Sequence, residues 1–401
     1  MRHAFVKPYD LAVAGAGVAG VAAALEAARA GIRTALIEKT VLVGGLATSG
    51  LVNIYLPLCD GEGRQVTFGV AEELLHLSLR YGPGEVPPGW REGRARYQTP
   101  FSPASFVLAL EEALEEAGVD IWLDTLACQP VLEGDRIAGL EIENKSGRGL
   151  LRAACVVDAT GDADVAWRAG AECVEGDNWL SVWAIQNSSE VWSRAAAHPG
   201  RAIPIDVLRL GADAAGDGAV PGGANLRGTR GEQVTRFVLD SHRLLREHYR
   251  ARQADGAHTR HDLYPLALPA MAQFRTLRRI VGRESLEAGQ HGLERPESIG
   301  LAADWRRPGL VWEIPYGALI PRGVDGLLVA GRCISSGGDA WEVTRVIPAA
   351  ALTGQAAGLA AWLAVKSGAS PGRLAVEAVQ AQLRRDGIAF HLAEVYGRPA
   401  G

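Results

Sequence analysis

Residues 10–39 read DLAVAGAGVAGVAAALEAARAGIRTALIEK, and this stretch decides the fold class. An apolar run enters three glycines, Gly15, Gly17 and Gly20, and an alanine-rich run then leads to a second apolar run that ends before Glu38. The pattern predicts a strand, a tight turn, a helix and a second, parallel strand. We therefore expect an α/β fold whose first unit binds a dinucleotide.

Each residue of this motif has its own physical task. Gly15 permits the tight turn, Gly17 lets backbone N–H groups approach a pyrophosphate, and Gly20 allows the helix to pack closely on the strand. The helix N-terminus offers unpaired N–H donors and the positive end of its dipole to the phosphates. Glu38 can accept hydrogen bonds from a ribose diol, and its charge disfavours the 2′-phosphate of NADP. The alternative is a glycine-rich turn in an alanine-rich chain, since the hexapeptide alone is a weak signal.

Composition narrows the partners of the chain. Its 401 residues include 41 basic and 46 acidic side chains, so a formal net charge of −5 offers no positive excess for nucleic acid or anionic membrane. Five widely spaced cysteines without a C-x-x-C pair predict neither a disulfide framework nor a metal site, and they favour a reducing cytoplasm. No run approaches the roughly 18 apolar residues of a membrane span. We expect a cytoplasmic protein without nucleic-acid, metal or membrane partners.

Three later stretches favour FAD over NAD. The run TVLVGGLATSGL at 40–51 places a glycine pair after the second strand, where a longer cofactor needs room to pass over the sheet. The run VVDATGDADVAWRAGA at 156–171 ends a buried strand near the same sheet edge. The run LLVAGRCIS at 327–335 is a late strand, and a helix is predicted to start near 346–348. Together with the first glycine turn they favour a cofactor longer than NAD that passes over the sheet edge.

These stretches resemble the glutathione-reductase-like FAD-binding superfamily. More closely, EKTVLVGGLATSGLVN, VVDATGDADVAWRAG, FRTLRRIVGRESL, EIPYGALIPRGVDGLLVAGRCIS and RVIPAAALTGQAAG are similar, in this order and over nearly the whole chain, to the FAD-dependent oxidoreductase family. The resemblance implies that the late strand passes the ribityl chain and that the next helix points its N-terminus at the flavin pyrimidine ring. We favour non-covalent over covalent FAD. Motifs and resemblance together assign to the cofactor Gly15, Gly17, Ala19, Gly20, Glu38, Lys39, Gly44, Gly45, Leu46, Thr48, Ala159, Thr160, Gly161, Gly331, Arg332 and Ile347.

The predicted architecture is a doubly wound, Rossmann-like FAD-binding domain with an inserted, mixed α/β substrate domain. A capped helix is predicted over 101–118, and alternating runs between 119 and 161 predict a β-meander. The assigned ranges are 1–58, 101–174 and 311–372 for the FAD-binding domain, 59–100 and 175–310 for the substrate or cap domain, and 373–401 for a C-terminal helical segment.

Four residues outside the glycine motifs are candidates for catalysis. Arg345 precedes the late helix and could stabilise negative charge on reduced flavin, with a solvated surface role as the alternative. Tyr316 could contact flavin or substrate, or pack at the domain junction. Cys59 could line the flavin, attach it covalently, act as a redox thiol or pack inertly. Asp339 stands in a segment where the resemblance implies that related sequences often carry a histidine.

The favoured reaction is hydride transfer from a small polar organic substrate to flavin N5, with oxygen or an external acceptor taking the electrons. Arg275, Arg278 and Arg279 stand in an expected strand-to-helix region. Two of these guanidinium groups, with Arg275 and Arg278 favoured, could hold a carboxylate or phosphate of an anionic substrate. Surface ion pairing is the alternative, above all for Arg279. An NAD-linked dehydrogenase and a flavin-binding scaffold without a redox role remain alternatives. A monooxygenase is a minor one, because the late strand ends in Gly331-Arg332 instead of Gly-Asp. The electron acceptor and homo-oligomerisation stay open.

Overall fold

The computed structural model describes residues 3–56, 58–86, 88–92, 98–198, 203–213, 216–219, 225–254 and 256–397. Within these ranges the strands are β1 (Phe5–Ala14), β2 (Thr34–Ile37), β3 (Ile54–Tyr55), β4 (Thr99–Pro100), β5 (Asp120–Trp122), β6 (Leu126–Glu133), β7 (Arg136–Asn144), β8 (Gly147–Asp158), β9 (Cys173–Glu175), β10 (Ser181–Ser188), β11 (Asp206–Gly211), β12 (Leu263–Ala267), β13 (Arg278–Ile280), β14 (Ser298–Ala303), β15 (Val311–Pro315) and β16 (Leu327–Val329). The α-helices are α1 (Val18–Arg29), α2 (Val70–Leu79), α3 (Pro103–Glu116), α4 (Asp164–Arg168), α5 (Ser189–Ala197), α6 (Gly231–Ala254), α7 (Asp339–Thr344), α8 (Ile347–Ser367), α9 (Val376–Arg385) and α10 (Leu392–Tyr396). Short 3-10 turns occupy Gly45–Ala47, Trp90–Glu92, Tyr316–Leu319, Gly331–Cys333 and Pro371–Arg373.

The main sheet has seven strands in the described part of the chain. Its order is β5-β2-β1-β8-β7-β6, and β16 pairs with the last residues of β8. Strands β5, β2, β1, β8 and β16 run parallel, whereas β6, β7 and β8 form an antiparallel meander. The predicted βαβ unit and the predicted meander are both confirmed, and so is the α/β fold class.

The register of the parallel strands brings four chain segments to one edge of the sheet. Ala14, the last residue of β1, lies opposite Ile37 of β2 and Asp158 of β8, and Asp158 in turn lies opposite Val329 of β16. The residues that follow these strands therefore meet at a single carboxyl edge. Open parallel sheets bind their ligands at such an edge, where strand order changes direction.

Helices α1 and α8 cover one face of this sheet and pack on each other at unusually short range. A Cβ on Gly354 would lie 2.1 Å from the carbonyl oxygen of Ala19, and a Cβ on Gly358 would lie 2.3 Å from that of Ala23. Only glycine permits this approach. Helix α8 is the one described helix that is long and apolar enough to cross a membrane by length and composition, and 83% of its apolar window is buried inside the protein.

A second, smaller sheet lies in the range assigned to the substrate or cap domain, which is called the cap below. Its order is β11-β10-β12, and α6 packs on one face through Leu245 and Tyr249 against Val182 and Ala184. Gln273 joins this cap sheet to the main body. Its Nε2 donates to the carbonyl of Gly50 at 2.5 Å, and its Oε1 accepts the N–H of β10 residue 183 at 2.8 Å.

Helix boundaries agree with the sequence where local signals are strong. Helix α3 begins after Ser102, whose hydroxyl accepts the Ser105 N–H at 3.4 Å, and Pro103 occupies its first position. Helix α8 begins at Ile347, inside the predicted window of 346–348.

One sequence expectation differs from the structure, and one domain assignment stays a prediction. The region around Arg278 is a short strand paired with β9, without the helix expected after it. Helix α2 lies in a range assigned to the cap, yet its residues Leu74 and Leu75 are buried in the main core with α1, α3 and α8. An amphipathic helix reveals that one face is buried but not against which partner, so the sequence could not place α2.

Candidate cofactor and substrate site

A cleft with an empty volume of about 1090 Å³, part of it open to solvent, lies at the carboxyl edge of the main sheet. Clefts of about 300–1,000 Å³ are typical of large organic ligands. The residues directly after β1, β2, β8 and β16 reach it, which explains why distant sequence motifs meet there. Of the residues assigned to the cofactor, those that line the cleft are Gly15, Gly17, Ala19, Glu38, Lys39, Gly44, Gly45, Leu46, Ala159, Thr160, Gly161, Gly331, Arg332 and Ile347.

The first turn forms a cradle without side chains. Gly15 has φ +94°, and a Cβ there would lie 2.6 Å from the carbonyl oxygen of Ala159. A Cβ on Gly20 would lie 1.8 Å from the carbonyl oxygen of Gly15, so this glycine sets the packing beneath the cleft and does not line it. Gly17 differs from both, because a Cβ there would meet no atom closer than Gly45 Cα at 4.0 Å. The space above Gly17 is therefore open to a ligand.

Helix α1 begins at this cradle with its first N–H groups available. Gly17 is the N-cap and no side chain caps the helix, so the N-terminal donors and the positive end of the dipole face the cleft. This is the arrangement that binds a pyrophosphate.

Glu38 is buried at the end of β2 and is held by its neighbours. Its Oε2 accepts the Ala16 N–H at 2.9 Å, and its Oε1 accepts the Thr40 N–H at 2.9 Å and the Thr40 hydroxyl at 3.0 Å. These bonds fix the carboxylate in the cleft wall. Each carboxylate oxygen keeps acceptor capacity for a ribose hydroxyl.

The glycine pair forms the facing wall. Gly44 N–H donates to the Ala16 carbonyl at 2.7 Å, and a Cβ on Gly45 would lie 2.9 Å from Gly17 Cα. The two glycine loops can touch only because neither carries a side chain. Thr48 supports this contact from outside the cleft, since its hydroxyl donates to the Val43 carbonyl at 2.5 Å.

Asp158 organises the turn after β8. It is fully buried, and its carboxylate accepts the Thr160 N–H at 3.1 Å, the Thr160 hydroxyl at 2.6 Å and the Ala166 N–H at 2.8 Å. Burial raises the pKa of Asp158, while these hydrogen bonds oppose the rise. The turn is thus held against the cleft by one carboxylate.

Arg332 ties three segments together at the β16 side of the cleft. Its Nε donates to the Gly161 carbonyl at 2.8 Å, its Nη1 donates to the Phe274 carbonyl at 2.6 Å, and its Nη2 pairs with Asp162. The side chain is only 8% exposed. The arginine therefore links the late strand to the turn after β8 and to the cap.

The second uncapped helix N-terminus also lies on the β16 side. Helix α8 has Val346 as its N-cap without a side-chain cap, and both Ile347 and Ala350 line the cleft. Strand order places β16 three strand spacings from β2, about 14 Å across the cleft from the Glu38 side. The positive N-terminal end of one helix therefore lies at each end of the cleft, α1 near Glu38 and α8 near β16.

Arg345 lines the cleft next to that second N-terminus. Its Nη2 donates to Glu342 at 2.5 Å, and its Nε is buried without a hydrogen-bond partner in the described residues. The hydroxyl of Ser49, another residue of the cleft wall, is likewise buried and unpaired. Buried polar atoms normally have partners, and both of these groups lie in the cleft wall, where a bound ligand can supply them.

The structure adds residues to the cleft that the sequence did not assign. Several of them are next to the sequence motifs in the chain, and this proximity was the one sequence feature that could have identified them. Met271 and the start of β6 carried no such signal, because they reach the cleft only through the tertiary fold. The added residues are Val18, Ile37, Thr40, Ala47, Ser49, Thr125, Leu126, Ala127, Asp164, Met271, Ala330 and Ala350.

Three of the four catalytic candidates lie outside the cleft. Cys59 is fully buried with its Sγ 3.7 Å from the Trp90 carbonyl, and burial raises the pKa of its thiol to about 12. The Tyr316 hydroxyl donates to the Pro371 carbonyl at 2.9 Å, and burial raises its pKa strongly. Both Cys59 and Tyr316 therefore have the surroundings of packing residues, and neither lines the cleft.

Asp339 also serves the scaffold. It stands in the first turn of α7, pairs with Arg307 at 2.7 Å and accepts the Gly289 N–H at 3.1 Å. Burial alone would raise the pKa of Asp339, but the pair with Arg307 and the Gly289 bond lower it. Asp339 is therefore an ionised positioning group for α7, the helix that carries Glu342.

Both arginines predicted to hold an anionic substrate group have partners within the fold, and their joint role stays a prediction. Arg278 is buried, donates to Asp164 at 2.6 Å and stacks 4.6 Å over the Trp167 ring. Its charge is neutralised within the fold. The Nη2 of Arg275 donates to the Ala212 carbonyl at 3.1 Å.

Comparison with known proteins agrees with this geometry. The model of the family described as FAD dependent oxidoreductase matches residues 10–201 and 242–383. The chain belongs to this family. Its cofactor is FAD, and the predictions of an FAD-dependent enzyme are confirmed.

Curated relatives match only part of the chain. It is 30% identical to a digeranylgeranylglycerophospholipid reductase of Picrophilus torridus over 163 residues, which are 38% of this chain and 39% of that protein. It is 35% identical to a thioredoxin reductase of Ureaplasma parvum over 71 residues, 18% of this chain and 23% of that protein. The matched region spans well under half of these relatives.

Among solved structures, the chain is similar to p-nitrophenol 4-monooxygenase from Pseudomonas putida. The TM-score is 0.51 at 14% sequence identity, and the match covers 92% of this chain and 82% of the other. At this identity the likeness concerns the fold alone.

Proposed function

We propose that this chain oxidises a small polar organic substrate by hydride transfer to FAD. The carrying observation is the cleft itself, with a glycine cradle and α1 N-terminus near Glu38 and, across the sheet edge, the α8 N-terminus beside Arg345. The cradle suits a pyrophosphate, and the far side suits a group that gains negative charge during the reaction.

Binding of the ADP half would use the chain's own backbone. The N–H groups of α1 would donate to the pyrophosphate, and Glu38 would accept from the ribose. The glycine pair at 44–45 would leave room for the cofactor to cross the sheet edge. Elsewhere along the cleft wall, the Ser49 hydroxyl and Arg345 Nε would gain from the bound cofactor the hydrogen-bond partners that they lack.

When bound, FAD supplies a two-electron acceptor at N5. The protein supplies position and charge. Helix α8 presents unpaired N–H donors, and Arg345 holds a guanidinium next to them, so negative charge that develops beside α8 is stabilised. Met271 lines the cleft, and its apolar side chain would help to exclude water from the reacting groups.

The test starts with the purified protein and its visible spectrum. We expect a yellow protein, or one that becomes yellow with FAD, whose flavin band bleaches anaerobically with a member of a panel of sugars, hydroxy acids and amines. Dithionite is the control, because it reduces bound flavin without a substrate. A protein that stays colourless after incubation with FAD would overturn the proposal, as would bound flavin that dithionite bleaches but no panel member does.

A further inference from the structure

Three cationic side chains line the cleft in the described part of the chain: Lys39, Arg332 and Arg345. Lys39 follows β2 and belongs to the Glu38 side. All three guanidinium nitrogens of Arg332 are already bonded within the fold. Arg345 directly precedes the N-cap of α8, so it is the cation with free donors on the β16 side.

Glu342 is the one hydrogen-bond partner of the Arg345 guanidinium among the described residues. Its Oε2 accepts from Arg345 Nη2 at 2.5 Å, and the two side chains are only 15% and 16% exposed. The Nε of Arg345 is buried without a partner. The direction in which this planar group points therefore depends on a single carboxylate.

Helix α7 gives that carboxylate a fixed support outside the cleft. Glu342 does not line the cleft, whereas Arg345, three residues later, does. The first turn of α7 is held through the pair of Asp339 with Arg307. The carbonyl of Glu342 accepts the Trp305 Nε1–H at 3.0 Å. The ion pair thus reaches from a pinned helix to the cleft wall.

We propose that Glu342 is a positioning residue that holds the Arg345 guanidinium at the cleft wall beside α8 and so sets the reduction potential of bound FAD. The inference rests on the proposed function, in which the flavin gains negative charge on this side. Two electrons and one proton place a hydrogen on flavin N5 and leave one negative charge on the ring. The positioned guanidinium stabilises this charge, and the charge of the Glu342 carboxylate opposes it.

Two substitutions of Glu342 separate its position from its charge. Glu342→Gln removes the charge and keeps an oxygen that accepts from Arg345. Reduced flavin should then be favoured about tenfold, which raises the midpoint potential of the two-electron couple by about 30 mV. Glu342→Ala removes the same charge together with the anchor. The guanidinium is then free to turn away, and the rise should be clearly smaller.

Arg345→Gln tests whether the effect passes through the guanidinium. On its own it should lower the potential below that of the unchanged protein, because the stabilising cation is lost. In the Arg345→Gln background, Glu342→Gln and Glu342→Ala should give equal potentials, since no guanidinium is left to position.

The measurement is an anaerobic dithionite titration of the FAD-loaded protein against a reference dye of known potential. Glu112→Gln is the matched control, because Glu112 pairs with Arg80 at the same 2.5 Å and neither residue lines the cleft. Its flavin potential should stay unchanged. The flavin content of each variant reports that the fold and the cofactor site are intact.

Three results would overturn the inference while leaving the proposed function standing. They are an unchanged or lowered potential in Glu342→Gln, a rise in Glu342→Ala at least as large as in Glu342→Gln, and a difference between these two variants that survives Arg345→Gln. A purely structural role of Glu342 would reduce flavin content but leave the potential of the flavin that stays bound unchanged.

Glu342→Asp replaces the alanine variant if that protein does not fold. It keeps the charge and shortens the side chain by one carbon, so the anchor is weakened and the potential should fall. An unchanged or raised potential in Glu342→Asp would count against positioning. A protein without flavin would instead refute the proposed function itself.

Discussion

Among the glycines of the cradle, Gly17 is the one where a substitution should affect cofactor binding without affecting folding. Its φ of −64° and ψ of 175° suit any amino acid, and a Cβ would enter open cleft space, 4.0 Å from the nearest atom. We therefore expect Gly17→Ala to fold with unchanged apoprotein stability. Its methyl group would occupy space beside the pyrophosphate donors, and FAD affinity should fall by about tenfold or more, measured by flavin titration.

Gly15→Ala is the contrasting variant. Its φ of +94° is strained for alanine, and the added Cβ would lie 2.6 Å from the Ala159 carbonyl oxygen. It should lower both apoprotein stability and FAD affinity. If Gly17→Ala destabilises the apoprotein as much as Gly15→Ala does, the space above Gly17 belongs to the fold and not to the ligand.

Residues whose task depends on backbone position could be predicted from the sequence, and residues whose task depends on side-chain partners could not. Gly17 and Glu38 follow from their spacing within one βαβ unit. Cys59 contacts the carbonyl of Trp90, and Arg278 pairs with Asp164; these partners lie 31 and 114 positions away in the sequence. Nothing in the local pattern indicates such partners.

At the scale of elements, the close packing of α1 on α8 positions the second helix N-terminus. Gly354→Ala would place a Cβ 2.1 Å from the Ala19 carbonyl oxygen, so α8 must move away from α1. Alanine normally stabilises a helix interior by about 1 kcal/mol over glycine. We expect the opposite sign here, with a loss of about 1–3 kcal/mol in the free energy of unfolding from overpacking. Because α8 also lines the cleft, FAD affinity should fall in the same titration.

Gly368→Ala provides the control for this prediction. Gly368 ends α8 with φ +68°, and a Cβ there would meet nothing within 4 Å. Its cost should be the strain of a left-handed alanine, about 1 kcal/mol, without a change in FAD affinity. A stabilised Gly354→Ala would show that the two helices can separate freely.

Elements with local start and stop signals were placed well by the sequence. Helices α3 and α8 begin where Ser102 and the 346–348 window predicted. The sequence did not locate helix α2 in the main core or predict that the segment at β13 is a strand paired with β9. The partner of a buried face depends on the whole fold and not on the local sequence.

In the whole molecule, the cleft is built from segments between residues 15 and 350, and among the described residues of the cap those that reach it belong to the segment that holds Met271. The sequence predicted that distant motifs meet because parallel strands share a carboxyl edge. It could not predict which parts of the cap close the site. The proposed domain bounds stay a prediction, and the packing of α2 in the main core argues for moving that helix out of the cap.

A ligand that contacts so many separate segments should stabilise the assembled chain. Free FAD at 100 times its dissociation constant is expected to raise the free energy of unfolding by about 2.7 kcal/mol, since it binds the folded cleft and not the unfolded chain. Urea or thermal unfolding of apoprotein and FAD-loaded protein measures this. Gly17→Ala, at the same FAD concentration, should show a smaller gain that returns to the full value once FAD is raised in proportion to its weaker affinity. Equal stabilisation of both proteins at limiting FAD would mean that the cofactor does not bind over Gly17, and the assignment of the cradle to its pyrophosphate would fall.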